Sequence, residues 1–194
     1  MTHHLILASS SPRRQSLLKQ VKIPFSVRKP DVDESQVTVG DPEEKVKQLA
    51  MLKGKATPLT NKKEVILSAD TVVAYKEEIF GKPRNEQDAH RMLSLFSGFV
   101  HDVYTGVMLR SADQELTFVE KTEVEFWPLS SAEIESYIST SEPYDKAGAY
   151  GIQSAGAMFV KQIIGDYFTV VGLPISRVSR ELRNFSIHPI DEEF

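Results

Sequence analysis

An apolar run that passes directly into a hydroxyl-rich turn and a helix start constrains the fold of this chain more than any other feature. Residues 4–8, HLILA, have the pattern of a buried strand. Three serines follow at positions 9–11. Pro12 suits the first helical position because its missing N–H would be unpaired there, and Ser11 before it is a good N-cap. The segment therefore predicts a strand, a turn and a helix in immediate succession.

Two arginines, Arg13 and Arg14, lie in the first turn of this predicted helix. Cations at that place oppose the helix dipole, at a cost of ~0.3–1 kcal/mol each unless an anion lies nearby. Free backbone N–H groups and planar guanidinium groups both suit phosphate oxygens. The turn, with Ser9 and Ser11, is therefore a candidate phosphate site. The alternative is that the serines only cap the helix and the arginines form a solvated face.

The composition excludes several classes of protein. The 194 residues carry a net charge of -4 and no cysteine. We expect one domain over residues 1–194, and no broad binding to nucleic acid or to a membrane surface, since both need a basic face. Without thiolates a metal needs oxygen or imidazole ligands, so Mg²⁺ or Mn²⁺ is the expected cofactor. The amino terminus lacks the pattern of a secretion signal and no apolar run reaches ~18 residues, so a cytoplasmic protein is expected.

Strand-like and helix-like patterns alternate in the first half of the chain. Strands are predicted over residues 5–8, 25–27, 65–69, 71–75, 103–109, 116–126 and 157–164. Helices are predicted to begin at Pro12, after Asp41, after Asn85, at Ser130 and near Ile175. Residues 100–127 have the pattern of a β-hairpin. A mixed α/β fold, with a sheet flanked by helices, is the most economical architecture.

Asp70 interrupts the apolar run 65–73. A carboxylate within a buried strand is costly unless it is paired or binds a metal. A bend at this point would place Asp70 at the carboxyl end of a strand, where the ligands of α/β sheets gather. The alternative is a buried aspartate satisfied by backbone N–H groups at a turn. We favour a functional role.

Three further charged residues are candidates for the same site. Lys53 falls on the apolar side of the second predicted helix, although a lysine at the edge of such a stripe can also extend to the surface. Lys82 follows Gly81 in a predicted tight turn. Glu34 lies beside Asp33 in an acidic loop and is a candidate metal ligand, although such loops are often only solvated.

The aperiodic segment 142–153 combines charges, glycines and aromatic residues, and long irregular segments often carry function. Gln153 offers both a donor and an acceptor, which suits recognition of a base edge. Tyr150 is either a stacking partner for that base or a packed core tyrosine. His101, placed before a predicted strand, is expected to be a hydrogen-bonded structural histidine because no Ser-His-Asp arrangement is evident.

A series of short motifs runs along almost the whole chain. They are SSSPRR at 9–14, DE at 33–34, LA at 49–50 with Lys53, ADT at 69–71, GKP at 81–83, EP at 142–143 with DKAGAYGIQ at 145–153, GDY at 165–167 and GLP at 172–174. Each motif alone is weak, but the series is specific. In this order it closely resembles the Maf family of nucleoside triphosphate pyrophosphatases.

The resemblance implies a mixed, elongated β-sheet flanked by helices, as in the inosine triphosphate pyrophosphatases, with a cleft for a nucleotide. It also implies hydrolysis of dTTP and UTP, with modified pyrimidine nucleotides as an open extension. Members of the branch that acts on dTTP and UTP carry the same residue types as this chain at the positions of Arg13, Thr71 and Gln153. Another branch, which acts on methylated GTP, typically has different residues at these positions. A homodimer is implied by the family alone.

The resulting hypothesis is attack of water on the α-phosphorus, which releases pyrophosphate. Four cations are expected to clamp the triphosphate beside the metal: Arg13, Arg14, Lys53 and Lys82. Asp70, with Glu34, is expected to hold the metal or to orient the water, and the sequence leaves both roles open. The catalytic residues expected are Asp70, Lys53 and Lys82.

The alternative function is a nucleotide-binding regulator of cell division without significant catalysis. Retention of both the acid and the cations argues against it, because a pure binder needs no carboxylate to position water. A phosphate-loop kinase is less favoured still, because the chain has no Gly-x-x-x-x-Gly-Lys-Ser/Thr loop.

Overall fold

Strands and helices alternate through the first half of the chain, as the sequence predicts. The computed structural model describes residues 3–190. The strands are β1 His4–Leu7, β2 Phe25–Val27, β3 Glu64–Tyr75, β4 Glu78–Phe80, β5 Val100–Arg110, β6 Glu115–Phe126 and β7 Val160–Ile164. The α-helices are α1 Pro12–Gln20, α2 Pro42–Ala56, α3 Glu86–Phe96, α4 Ser131–Ile138, α5 Tyr167–Val171 and α6 Ile175–Arg183. Short 3-10 helices lie at Glu34–Gln36, Glu142–Asp145, Ala147–Ala149 and Ala155–Phe159.

The strands form one mixed sheet in the order β2-β1-β3-β5-β6-β7, with β4 paired to β3. Strand β1 is parallel to β2 and to β3, whereas β4 is antiparallel to β3 and β7 is antiparallel to β6. Strands β5 and β6 are neighbours joined by residues 111–114, which confirms the predicted hairpin. The predicted mixed α/β class is therefore confirmed.

The contacts divide the chain into two compact units. The first comprises Met1–Asp70, Thr105–Glu120 and Gly172–Phe194, and the second comprises Thr71–Tyr104 and Lys121–Val171. Strands β3, β5 and β6 each contribute residues to both. The expected single domain over residues 1–194 stays a prediction, since division by contacts does not test whether the units fold separately. Within residues 3–190, every helix is too short or too polar to cross a bilayer.

Two strand predictions were wrong. Runs 65–69 and 71–75 form one continuous strand, β3, because its backbone stays paired within the sheet through Asp70. In the run 157–164, only Val160–Ile164 pairs with β6, and the preceding residues form a 3-10 helix in which Met158 is 75% exposed. The short elements β4 and α5 were not predicted, because so few residues show no clear periodicity.

The predicted helix starts at Asp41 and Ser130 are confirmed by their caps. The Asp41 side chain accepts from the Glu44 N–H at 2.8 Å. Ser130 and Glu133 form a reciprocal capping box, in which each side chain bonds the backbone N–H of the other. The Glu44 carboxylate, in the first turn of α2, accepts from the Gln48 side chain at 3.0 Å.

Helix α2 packs directly against the part of the sheet that belongs to the first unit, at two glycines. A Cβ at Gly106 of β5 would lie 2.4 Å from the carbonyl oxygen of Val46 in α2. A Cβ at Gly54 would lie 2.6 Å from Ser68 Oγ, and this hydroxyl donates to the Ala50 carbonyl at 2.7 Å. The missing side chain at Gly106 lets the backbones of helix and strand touch, which fixes the height of α2 above the sheet.

The core of the second unit contains a neutral histidine stacked among aromatic rings. His101 is 1% exposed, and its ring centroid lies 4.5 Å from Phe96 and 4.8 Å from Phe126. Its Nε2 lies 2.8 Å from the hydroxyl oxygen of the buried Tyr150. Burial lowers the pKa of His101 to about 3. The expected structural histidine and the core alternative for Tyr150 are both confirmed, and His101 lies inside β5 rather than before it.

We expect Gly106→Ala to lower the free energy of unfolding by about 1–3 kcal/mol or more, because the new methyl group meets the α2 backbone and not a flexible side chain. The measurement is urea denaturation followed by circular dichroism. Gly40→Ala is the matched control, since nothing lies within 4 Å of a Cβ at Gly40. Equal stability of the two variants would contradict the close contact.

The buried His101 predicts a specific pH dependence of stability. The folded pKa of His101, about 3, lies below the ordinary value of 6.5. Below pH 6.5 the unfolded chain therefore binds a proton that the folded protein does not, so the free energy of unfolding falls as the pH is lowered from 6.5 towards 3. Each pH unit in this range corresponds to ~1.4 kcal/mol. Between pH 7 and pH 5, the wild type is expected to lose about 2 kcal/mol more than His101→Phe, measured by urea denaturation at both values. Parallel losses in the two proteins would show that His101 is not the titrating group.

Candidate functional site

Strand β3 extends beyond the end of its parallel neighbour β1. Strand β1 ends at Leu7, which pairs with Leu67, and the Ala8 N–H donates to the Leu67 carbonyl at 2.8 Å. Strand β3 continues past this point, and Asp70 lies on the continuation. The serine turn after β1 and Asp70 therefore lie at the same edge of the parallel strands. This corrects the predicted bend: Asp70 lies beyond the end of the parallel pairing because the neighbouring strand β1 stops, not because β3 itself bends or ends.

The serine turn and the first turn of α1 are tied together by Ser9. Its buried hydroxyl accepts from the Ser11 N–H and from Arg14 Nη1, both at 3.2 Å. Arg14 also donates through Nε to the Gly172 carbonyl at 2.7 Å. Ser11 is the N-cap residue, but its side chain makes no capping hydrogen bond. The predicted N-cap position of Ser11 is therefore confirmed, but its side chain does not cap the helix, and the Ser9 hydroxyl holds the turn.

Lys53 on α2 joins the two acidic candidates. Its Nζ lies 2.5 Å from Asp70 Oδ1 and 3.0 Å from Glu34 Oε1. The side chains of Lys53 and Asp70 are each 12% exposed, whereas that of Glu34 is 54% exposed. The ammonium does not extend into solvent, as one alternative for Lys53 allowed, but neutralises a carboxylate within a strand. The structure thus brings three of the predicted site residues together.

Arg14 of α1 lies within electrostatic reach of the same carboxylates and of Arg13. Burial lowers the pKa of Arg14, Asp70 and Glu34 act to raise it, and Arg13 acts to lower it further. The guanidinium stays charged at pH 7, since arginine titrates far above this value. Lys53 and Arg14 therefore both place positive charge beside Asp70 and Glu34. The arrangement has the charge that an anionic ligand requires.

The other three predicted site residues belong to the second unit. Thr71 on β3 is half-buried. Lys82 is exposed in the loop after β4, and the carbonyl of its neighbour Gly81 accepts from the Gly148 N–H at 3.0 Å. Gln153 is exposed between two of the 3-10 helices. The roles of these three residues toward a substrate stay predictions.

The comparison with known proteins agrees with the motif series. Residues 4–185 match the family described as Maf-like protein. This chain belongs to the Maf family. The match includes the serine turn, Lys53, Asp70, Lys82 and Gln153, so the residues proposed for the site all lie within the Maf region.

Curated relatives are similar over nearly the whole Maf region. A dTTP/UTP pyrophosphatase of Bacillus cereus strain AH187 is 49% identical over 183 residues, which are 94% of this chain and 96% of the relative. Proteins of the same name from strains AH820 and ATCC 14579 are 48% and 47% identical with the same coverage.

A solved structure shares the fold of this Maf protein. A HAM1 protein from Coxiella burnetii superimposes with a TM-score of 0.50 at 13% identity, covering 94% of this chain and 100% of that one. At this identity the likeness concerns the fold alone. It confirms the Maf/Ham1 architecture implied by the sequence resemblance.

Two carboxylates of the Maf site are both bonded to the Lys53 ammonium. Asp70 and Glu34 supply carboxylate oxygens, which Mg²⁺ and Mn²⁺ prefer. Among residues 3–190, no group of three or more histidine, aspartate or glutamate side chains is arranged to hold a metal ion. The two carboxylates therefore form a partial set, and magnesium commonly completes such a set with water and substrate phosphate oxygens.

One residue to which the sequence assigned no role has an organising position in the second unit. The Glu142 carboxylate accepts from the Tyr137 hydroxyl at 2.8 Å and from Ser154 Oγ at 2.5 Å. The available signal was an acidic residue before Pro143 at the start of the irregular segment. Its partners are distant enough in sequence that no local pattern reveals them.

We expect Lys53 and Asp70 to be coupled in stability. In a double-mutant cycle with Lys53→Met and Asp70→Asn, the double variant is expected to lose less stability than the sum of the single losses. The expected coupling is about 1–3 kcal/mol, because each single change leaves a poorly solvated group without its partner.

Urea denaturation of the four proteins measures this coupling. Lys55→Met is the matched control, since Lys55 is exposed on the same helix and its effect should add independently to that of Asp70→Asn. If the stability losses of Lys53→Met and Asp70→Asn add up to the loss of the double variant within about 0.5 kcal/mol, the ion pair does not form in solution.

Proposed function

We propose that this chain hydrolyses dTTP and UTP to the nucleoside monophosphate and pyrophosphate. The observation that carries the proposal is the Lys53 ammonium paired with Asp70 and Glu34, the same two carboxylates that act on Arg14 of α1. Maf-family relatives at 47–49% identity carry the name dTTP/UTP pyrophosphatase, which supports the same reaction for this chain. Modified pyrimidine nucleotides remain an open extension of this substrate class.

The triphosphate is proposed to bind at the start of α1. The unpaired N–H groups and positive dipole of a helix start attract phosphate, and the serine turn brings hydroxyls to the same place. Arg13 is proposed to contact phosphate oxygens, while Arg14, already bonded to Ser9 and Gly172, contributes fixed positive charge. Lys82 is proposed to neutralise a further phosphate oxygen.

Asp70 is proposed to orient the attacking water, directly or as a metal ligand. Hydrolysis forms a bond from the water oxygen to the α-phosphorus and breaks the bond from that phosphorus to the bridging oxygen. Pyrophosphate leaves, and the proton of the water passes to the Asp70 carboxylate and from there to solvent. The bond to Lys53 restricts rotation of the Asp70 carboxylate, which pre-organises this step. The same ammonium stabilises negative charge as it develops on the phosphate.

A divalent cation, Mg²⁺ or Mn²⁺, is proposed as the cofactor, with Asp70 and Glu34 as its protein ligands. When bound, the ion would supply charge neutralisation on the phosphate oxygens. The support for this proposal is the oxygen donor set on the two carboxylates and the phosphate chemistry of the substrate.

Base selection is proposed to depend on Gln153, with Arg13 and Thr71 contributing. An amide side chain presents a donor and an acceptor, which matches the edge of a thymine or uracil base. The resemblance to the Maf branch that acts on dTTP and UTP supports these three assignments.

Assembly and location are proposed from the resemblance and composition. We propose a cytoplasmic homodimer that acts on free nucleotides without a nucleic-acid or membrane partner. The net charge of -4 supports the last point, since sequence-blind binding to anionic polymers needs a basic face. Light scattering of the purified protein distinguishes one chain from two.

The regulator without catalysis is not favoured. A nucleotide-binding protein that only senses its ligand has no need of a strand carboxylate paired with a lysine ammonium. Asp70 and Lys53 together incur a desolvation cost that binding alone does not require.

We expect purified wild-type protein with Mg²⁺ or Mn²⁺ to release pyrophosphate from dTTP and UTP faster than from CTP, GTP or ATP. Asp70→Asn is expected to lower turnover about 10²-fold or more, because an amide is a poor proton acceptor and a weak metal ligand. The measurement is separate quantification of pyrophosphate and monophosphate.

Asp113→Asn is the matched control, since Asp113 is exposed in the loop between β5 and β6. It should retain wild-type turnover. Turnover of Asp70→Asn equal to that of this control would remove Asp70 from the mechanism, and phosphate instead of pyrophosphate as the product would refute the proposed cleavage position.

A further inference from the structure

The segment that carries Gln153 has an irregular backbone. Residues 142–159 form three short 3-10 helices, and both Gly148 and Ala149 adopt left-handed conformations, with φ of 71° and 62°. A non-glycine residue in this region carries strain, which persists only when surrounding contacts hold it. The position of Gln153 therefore depends on side chains that fix the segment.

Glu142 supplies most of these contacts on the carboxyl side of Gln153. Its Oε1 accepts from Ser154 Oγ at 2.5 Å and from the Gly156 N–H at 3.2 Å. Its Oε2 accepts from the Ala155 N–H at 3.3 Å. One carboxylate thus holds three consecutive residues that directly follow Gln153.

Tyr137 on α4 extends this network to the amino side. Its hydroxyl donates to Glu142 Oε1 at 2.8 Å and accepts from the Gly151 N–H at 3.1 Å. Gln153 is therefore flanked on both sides by backbone that is bonded to the Glu142–Tyr137 pair. Its own side chain is exposed, so it is available to a ligand.

The charge of Glu142 matches its environment. Burial acts to raise its pKa, but the hydrogen bonds from Ser154, Tyr137 and the two amides lower it below the ordinary value. The carboxylate is therefore ionised at neutral pH and accepts from every donor that points at it. An amide of the same size would direct its NH₂ group at one of these donors.

We propose that Glu142 is a positioning residue for base selection: by holding residues 154–156 directly, and Gly151 through the Tyr137 hydroxyl, it sets the orientation from which Gln153 meets the base. The inference rests on the proposed hydrolysis of dTTP and UTP. Glu142 touches neither the phosphates nor the reacting water in this proposal, so it affects discrimination between bases and substrate affinity more than the chemical step.

The first experiment measures kcat and KM for dTTP, UTP and CTP in wild type and Glu142→Gln. We expect KM for dTTP to rise about tenfold with kcat changed by less than about threefold, and the preference for dTTP over CTP to fall about tenfold. Glu135→Gln, an exposed change on α4, is the matched control and should leave all values unchanged. Unchanged KM and unchanged preference in Glu142→Gln would overturn the proposal.

A second arm tests whether Glu142 acts through Gln153. In a Gln153→Ala background, Glu142→Gln should cause no further loss of base preference, because the group that it positions is absent. An equal loss in both backgrounds would mean that Glu142 affects the site by another route, which would also overturn the proposal.

Hydrogen exchange measured by mass spectrometry separates this inference from the proposed activity. Glu142→Gln is expected to accelerate amide exchange over residues 151–156 at least tenfold. Its thermal unfolding midpoint is expected to stay within a few degrees of that of the Glu135→Gln control, so the faster exchange is local. Absence of pyrophosphate release in the wild type would refute the proposed function but not this positioning. Unchanged exchange over 151–156 would refute the positioning whatever the activity.

Discussion

The ion pair between the Lys53 ammonium and the Asp70 carboxylate is the interaction on which the first unit depends. A carboxylate inside β3 is costly to desolvate, and the partner that offsets this cost comes from α2. Lys53 reaches Asp70 because α2 rests on β5 at Gly106, where no side chain separates the two backbones. A packing constraint in the core therefore fixes a distance between charged groups at the site.

The same edge of the sheet gathers an excess of positive charge. Strand β1 stops at Leu7 while β3 continues, so the serine turn and the start of α1 lie beside Asp70. Arg14 is held there by hydrogen bonds to Ser9 and to the Gly172 carbonyl. Preorganised cations of this kind favour a highly charged transition state, because the cost of bringing them together is met during folding.

In the second unit, side chains hold a segment of irregular backbone in place. Regular strands and helices satisfy their own N–H and C=O groups, but the segment after Glu142 does not. The Glu142 carboxylate and the Tyr137 hydroxyl provide the missing partners. The same segment contributes Tyr150 to the buried aromatic core, where its hydroxyl contacts His101 of β5. Gln153, the residue proposed for base selection, thus lies in a loop whose shape is held by hydrogen bonds to Glu142 and Tyr137.

The sequence by itself determined the element types and the chemistry available: the caps at Asp41 and Ser130, the strand–turn–helix start, and Lys53 on an apolar helix face all follow from local patterns. The motif series also identified the family. Only the tertiary structure decided that β3 passes unbroken through Asp70, that Ser9 rather than Ser11 holds the turn, and that Glu142 organises the backbone around Gln153. Local periodicity records which face of an element is buried, whereas strand pairing and hydrogen bonds between distant residues depend on contacts that no short stretch of sequence contains.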